Sequence, residues 1–263
     1  MNVKTRRNVI PSSTRHLAAL LGACCALGAA ASAAAGDRPV VVDVDAVVAW
    51  QGRNDVRSPN APPSTRFALD EVTGSGPFVA PRLQVAVPFG ARQEIRLLAA
   101  PLSIEERGEL TAPVRFEGTE FTAGAVRARY QFDSWRVTWR YHWIDRPDLS
   151  VKLGFTAKLR DASIELRQGT RGARKDNTGF VPLLHAALEK PLDARWSLRA
   201  DVDALAGGPG YAVDAGLQVA RELGNGWSVS AGVRYLDGGA DTDEVYAFAT
   251  FTSVTLGISR RFD

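Results

Sequence analysis

The chain has 263 residues, of which 32 are basic and 29 are acidic, and its sequence pI is near 9.0. Four of the bases and none of the acids lie in residues 1–35, so the remainder has a formal charge of −1. The basic pI therefore does not indicate a nucleic-acid-binding protein. Both cysteines, Cys24 and Cys25, lie in the same segment, which excludes a disulfide framework or a cysteine metal site in the rest of the chain.

Residues 1–35 have the pattern of an export signal. A basic start precedes an apolar stretch at 17–27, and small residues at 31–35 offer cleavage sites. Two alternatives are an uncleaved membrane anchor and a lipoprotein signal with its lipidation box at 21–24. We predict a cleaved signal peptide over 1–35.

Residues 36–263 contain no linker or low-complexity break, so we predict one domain over this range. No part of it has the roughly 18 consecutive apolar residues that a membrane-spanning helix requires.

Residues 134–143 alternate strictly, with large apolar side chains at the odd positions and polar ones at the even positions. A period of two is typical of a strand with two unlike faces. Similar alternation recurs along the chain and predicts ten strands, at 40–50, 78–88, 92–102, 126–144, 150–167, 179–190, 195–206, 210–222, 226–237 and 248–262.

The connections between these strands alternate in length. Short turns follow the even-numbered strands, at 89–91, 145–149, 191–195 and 223–226, and the odd-numbered strands are followed by mostly longer loops, notably 51–77 and 103–125. Short turns on one rim and long loops on the other are typical of barrels in the outer membrane. The pattern predicts an all-β, transmembrane antiparallel up-and-down β-barrel of about ten strands (8–12), with both termini in the periplasm.

The end of the chain resembles the terminal assembly strand of Gram-negative outer-membrane β-barrel proteins. Phe248, Val254, Leu256, Ile258 and Phe262 share one face, although Asp263 follows the aromatic that usually comes last. The resemblance implies a location in the outer membrane, contact with its lipid and lipopolysaccharide, and recognition of the last strand by the barrel assembly machinery. It indicates a class of proteins and no activity. We expect a monomer with no cofactor and no nucleic-acid partner.

Aromatic side chains favour the two headgroup levels of a membrane. In the predicted topology they fall into two girdles, a periplasmic one and an outer one. The periplasmic girdle comprises Trp143, Trp196, Trp227 and Phe262, and the outer girdle comprises Trp50, Tyr211, Tyr235 and Phe248.

The opposite face of the predicted strands is rich in charges of both signs, which would point into the lumen. The predicted lumen charge network comprises Asp43, Asp45, Arg82, Glu94, Arg96, Arg136, Arg140, His142, Lys152, Lys158, Arg160, His185, Arg199, Asp201, Asp203, Asp214 and Arg234. A ten-strand barrel is near the size at which side chains fill the interior. We therefore expect these charges to pair and to plug the lumen.

A plugged lumen favours a structural or interaction role. The alternatives are a narrow pore or small-ligand transport protein and an envelope-lipid-modifying enzyme. After residue 35 the only histidines are His142 and His185, both expected in the periplasmic half of the lumen, and no catalytic residue is assigned. A soluble periplasmic barrel or sandwich is a further alternative. In that architecture a second layer would have to cover the apolar face of residues 135–143.

One predicted loop is acidic and rich in glycine. Its oxygen ligands make it a weak candidate for Ca²⁺ or Mg²⁺ binding, through Asp237, Asp241, Asp243 and Glu244. The spacing does not match an EF-hand, so we interpret it as a solvated hairpin loop and predict no metal site. Basic residues at 167–175 could contact lipopolysaccharide phosphates.

Overall fold

The computed structural model describes residues 38–262, so the predicted signal peptide and Asp263 lie outside the described residues. The elements are β1 Val40–Arg57, β2 Phe67–Ala68, α1 Leu69–Thr73, β3 Phe78–Phe89, β4 Gln93–Ala100, β5 Ser103–Leu110, β6 Val114–Phe116, β7 Thr119–Phe121, β8 Gly124–Arg146, β9 Leu149–Gln168, β10 Arg171–Pro191, β11 Trp196–Gly207, β12 Gly210–Gly224, β13 Trp227–Asp241 and β14 Tyr246–Phe262. Within this range, no helix has the length and apolar character needed to cross a membrane.

The strands form one antiparallel sheet that closes on itself. Its order is β1, β3, β4, β8, then β9 to β14 in sequence, and β14 pairs again with β1. Both β4 and β5 pair with β8, one after the other along its length, so they occupy one position in the wall. The result is a closed ten-strand antiparallel barrel, which confirms the predicted fold.

The strands extend further at the long-loop rim than the sequence predicts. β10 begins at Arg171 rather than at 179, β1 continues to Arg57, and β5 to β7 lie within the predicted loop 103–125. The added part of β10 is polar on both faces. It therefore lacks the alternation that marks a strand between lipid and lumen.

The four short turns lie where the sequence predicts them. In the turn between β10 and β11, the Asp193 carboxylate accepts hydrogen bonds from the backbone N–H groups of Arg195 and Trp196, at 2.7 and 2.9 Å. These bonds stabilise the charged form and lower the pKa of Asp193. The turn is thus fixed by its own side chain.

The outward face of the wall is apolar and exposed. Trp135, Val137 and Trp143 on β8 are 44%, 50% and 61% exposed. Large exposed apolar surfaces are unfavourable in water but suit a hydrocarbon layer. Closure into one barrel excludes the sandwich alternative, and this uncovered face contradicts the soluble barrel.

In the long-loop half of the barrel some neighbouring strands are no longer paired, which leaves openings in the wall. The helix α1 fills one of them. Beyond Ala49, β1 no longer pairs with β3, and β5 pairs only with β8. The helix packs between β1 and β5, with Leu69 and Val72 buried. A Cβ on Gly108 of β5 would lie 2.0 Å from the Val72 carbonyl oxygen, so the helix backbone rests directly on this glycine.

Candidate functional site in the barrel lumen

The predicted lumen residues lie on the inner face of the wall, and most of them belong to two clusters of ion pairs. The central cluster contains Asp201, Asp203 and Asp214 with their cationic partners. The second cluster surrounds Glu94 near the short-turn rim. Asp43, Asp45 and Arg199 line the space beside the second cluster, and Lys158 and Arg160 line a cavity on the opposite side.

Asp203 on β11 is the centre of the first cluster and is completely buried. It accepts hydrogen bonds from Arg96 Nη2 and Arg136 Nη1, both at 2.8 Å. Thr156 Oγ1 donates to it at 2.7 Å, and His185 Nδ1 lies 2.8 Å away. One carboxylate thus connects the walls formed by β4, β8, β9, β10 and β11 across the lumen.

Asp214 on β12 extends this cluster. Arg136 uses its second terminal nitrogen to bind Asp214, so its guanidinium bridges the two carboxylates. Arg234 binds Asp214 and also donates to Asp201 at 2.7 Å, and Arg82 Nη1 lies 3.7 Å from Asp214. The cluster therefore spans the barrel from β3 to β13.

The second cluster has Glu94 on β4 at its centre. Lys152 Nζ lies 2.9 Å and Arg140 Nε lies 2.6 Å from Glu94 Oε1, and His142 Nε2 is 3.5 Å from Oε2. Arg38, at the beginning of the described chain, lies 2.7 Å from His142 Nδ1 and pairs with Asp145. These contacts hold Arg38, just before β1, against the short-turn rim.

Burial makes these clusters sensitive to the loss of a partner. Taking a charge out of water costs several kcal/mol, and the mutual attraction of ion pairs offsets this cost only when each charge keeps its partners. Arg96, Arg136, Asp203 and Asp214 are all nearly or completely inaccessible. The arrangement therefore favours a fixed network over a mobile, hydrated lining.

The central cluster separates two cavities. A polar cavity of about 150 Å³ lies on the short-turn side and touches Asp43, Asp45, Glu94 and Asp201. A larger cavity of about 430 Å³, lined mostly by apolar side chains, lies on the long-loop side and reaches Asp203, Asp214 and Lys158. We call these the inner cavity and the outer cavity.

The predicted girdle residues lie on the outward face. Trp50, Trp143, Trp196, Trp227 and Tyr235 are exposed, and Tyr211, Phe248 and Phe262 are half-buried. Arginines accompany the rings at both rims. Arg221 lies over Trp196 and Arg260 over Trp227, and Arg53 lies over Phe248.

The acidic segment 237–244 is mostly strand and not a loop, because β13 continues to Asp241. Asp237 accepts hydrogen bonds from Tyr211 and Thr250, and Asp241 accepts one from Asn60. Two of the four candidate ligands, Asp237 and Asp241, thus already bind protein donors. Within residues 38–262, no group of three or more acidic, histidine or cysteine side chains is placed to hold a metal ion.

An apolar core fills the long-loop half of the barrel and was not predicted from the sequence. Loop residues and inward strand residues pack together there, including Leu69, Val72, Phe116, Phe121, Tyr130, Ile164, Leu166 and Phe251. The signal was present in β8 and β9. Their inward positions change from Ser134 and Lys158 to Tyr130 and Ile164 towards the long-loop rim.

Several solved structures align with this chain. The outer membrane protease OmpT from Escherichia coli aligns with a TM-score of 0.56 at 8% identity, covering 85% of this chain and 97% of that chain. Ail of Yersinia pestis gives 0.41 at 10% identity, covering 86% and 100%. Neisserial surface protein A gives 0.36 at 12%, covering 85% and 97%.

No protein-family model matches the sequence, and no curated protein matches it significantly. Identities this low carry information about the fold alone. The closed barrel, the apolar outward face and the alignment with the outer membrane protease together lead to one conclusion: this chain has the fold of the Gram-negative outer-membrane β-barrel proteins.

Proposed function

We propose that the protein is an integral outer-membrane barrel that passes no solutes, and that its role is structural or depends on interactions. The observation that carries this proposal is the buried cluster of Asp203 and Asp214, which bridges the lumen between the two cavities. In this arrangement the short turns and both termini face the periplasm, and the barrel assembly machinery recognises the end of β14.

The chemistry of the cluster supports closure. Arg136 contacts both carboxylates, Arg96 also donates to Thr138 at 2.9 Å, and Thr138 is bonded to Thr156. These contacts leave little room for the continuous water that ion conduction requires. A narrow pore, the first alternative, would need the cluster to open.

The pair of His185 and Asp203 is the feature that would support the enzyme alternative. A carboxylate bonded to Nδ1 is the arrangement that orients a catalytic histidine. Here, however, Asp203 is also bound by two arginines, and within residues 38–262 the buried His185 Nε2 has no hydrogen-bond partner. We interpret His185 as a member of the network.

Conductance in planar bilayers tests the proposal. We expect the purified protein to give no current steps or only very small ones, because paired side chains fill the constriction. The double variant Arg96→Ser, Arg136→Ser removes two guanidinium groups from the constriction and is expected to raise the conductance. The control Arg127→Ser, Arg174→Ser removes exposed arginines at the long-loop rim and should change nothing.

Large, stable steps from the unaltered protein would contradict the closed lumen. They would favour the pore alternative.

A further inference from the structure

The wall has a second opening, between β10 and β11 in the long-loop half. These strands pair only from Leu184 opposite Ala204 to Pro191 opposite Ser197. Towards the rim, residues 171–183 of β10 pair only with β9, and β11 pairs only with β12. Pro182 lies at this free edge and cannot donate a backbone hydrogen bond, as is usual for proline in edge strands.

This opening differs from the one between β1 and β5. There α1 covers the gap, and Gln51 Nε2 donates to Thr73 Oγ1 at 2.6 Å, while the Asn54 N–H donates to Asp70 at 2.8 Å. At the β10 edge, the outer cavity lies where α1 lies in the opening between β1 and β5. Its lining includes residues 180–183 at this free edge of β10.

The surface of the outer cavity is mainly apolar. Its volume of about 430 Å³ lies within the usual range of small-ligand sites, roughly 300 to 1,000 Å³. The apolar lining is supplied from strands all around the opening, by Tyr130, Phe132, Ile164, Leu183, Leu205 and Leu236. Phe180 marks the outward side of the edge and is 68% exposed.

A buried lysine lies at the floor of this cavity. Lys158 is 4% exposed, and its Nζ lies 4.8 Å from the centre of the Phe132 ring. Within residues 38–262, no carboxylate oxygen lies within 4.0 Å of this Nζ. The neighbouring carboxylates of Asp203 and Asp214 are already paired with arginines.

A second basic side chain, Arg160, also lines the cavity. It donates to Asn177, and its Nε has no hydrogen-bond partner in the described part of the chain. Buried polar groups are normally satisfied, and buried charges are normally paired. Lys158 and Arg160 at the end of an apolar cavity are therefore suited to an anionic headgroup.

We propose that the outer cavity binds a single-chain anionic amphiphile, which enters sideways from the membrane between β10 and β11. The hydrocarbon chain lies among the apolar side chains, and the headgroup binds Lys158. A carboxylate and a phosphate share the chemistry required of this headgroup. The site ends at the Asp203 cluster, so it requires no passage through the lumen.

Binding of cis-parinaric acid to the protein in phosphatidylcholine nanodiscs tests the site, with empty nanodiscs as the baseline. We expect saturable binding, and at least tenfold weaker binding of the methyl ester, because a bond between charged groups is lost. Dodecanoate and dodecyl phosphate are each tested as competitors of this probe. The one that displaces the probe at the lower concentration identifies the headgroup as a carboxylate or a phosphate. Failure of both to displace the probe would overturn the proposal.

Variants separate the headgroup contact from the chain contact. Lys158→Gln should weaken binding of the acid at least tenfold and leave the ester unchanged. Leu205→Trp and Ala212→Trp narrow the cavity and should weaken both probes. Leu217→Trp adds the same side chain on the outward face of β12 and should have no effect. Equal responses of acid and ester to Lys158→Gln would overturn the headgroup assignment.

A measurement on the unaltered protein avoids dependence on variants that fail to assemble. A fatty acid with a diazirine at its chain end should crosslink mainly to residues 180–183 and 205–212. Crosslinks spread evenly over the outward face would show ordinary lipid contact and would overturn the site. This outcome is independent of the conductance result, which tests only closure of the lumen.

Discussion

Replacing Asp203 by Ala should lower the free energy of unfolding by about 3 to 5 kcal/mol. The change removes the common acceptor of Arg96 and Arg136 and leaves two buried guanidinium groups without that partner. Asp203→Asn keeps the shape and one oxygen acceptor, so its effect should be intermediate. Urea unfolding from lipid vesicles, followed by tryptophan fluorescence, measures the difference.

The matched control is Asp176→Ala at the long-loop rim. Asp176 also pairs with an arginine, at 2.7 Å from Arg174 Nη2, but both side chains are exposed. Exposed ion pairs contribute little because water and salt screen them. A similar loss of stability in both variants would contradict a central role for the buried cluster.

Leu217→Arg should cost about 2 to 4 kcal/mol of stability, the range for an arginine on the lipid face near the bilayer midplane. Leu217 is outward and exposed in the middle of β12, and its neighbours across the sheet are Ala200 and Val233. We expect weak assembly into vesicles and loss of the heat-modifiable mobility in gels that marks a folded barrel.

The control on the same strand is Leu223→Arg, also at an exposed leucine. It lies beyond Arg221, which is already stacked over Trp196 at the short-turn rim. Near the interface the cost of arginine falls to about 0 to 1 kcal/mol. If both substitutions were equally harmful, the depth assigned to β12 would be wrong.

The barrel wall was predictable because each strand separates two different environments. Trp135 and Arg136 on β8 illustrate this, since neighbouring residues alternate between a hydrophobic exterior and a charged lumen. The same alternation identified the partners of the buried clusters. It could not identify which charges pair, because Asp203 and Arg96 are far apart in sequence and meet only when the barrel closes.

The long-loop half was less predictable for a physical reason. Towards the long-loop rim, strand residues such as 171–179 are mostly polar on both faces, so hydrophobic alternation ends while hydrogen bonding continues. The helix α1 and the apolar side chains of Phe116 and Phe121 fold into the barrel mouth from loops that have no periodicity. Their positions depend on contacts with several strands and not on local sequence.

The unequal lengths of the strand pairings affect where the barrel opens. The first and last strands are paired along almost their whole length, since β1 and β14 pair from Val40 opposite Phe262 to Arg57 opposite Tyr246. The outer part of β10 is bonded on one side only. The amide hydrogens in the outer part of β10 that point to its free edge should therefore exchange with solvent early, whereas those between β1 and β14 should be among the last. Thermal fluctuations would then separate β10 from β11 before they separate β1 from β14.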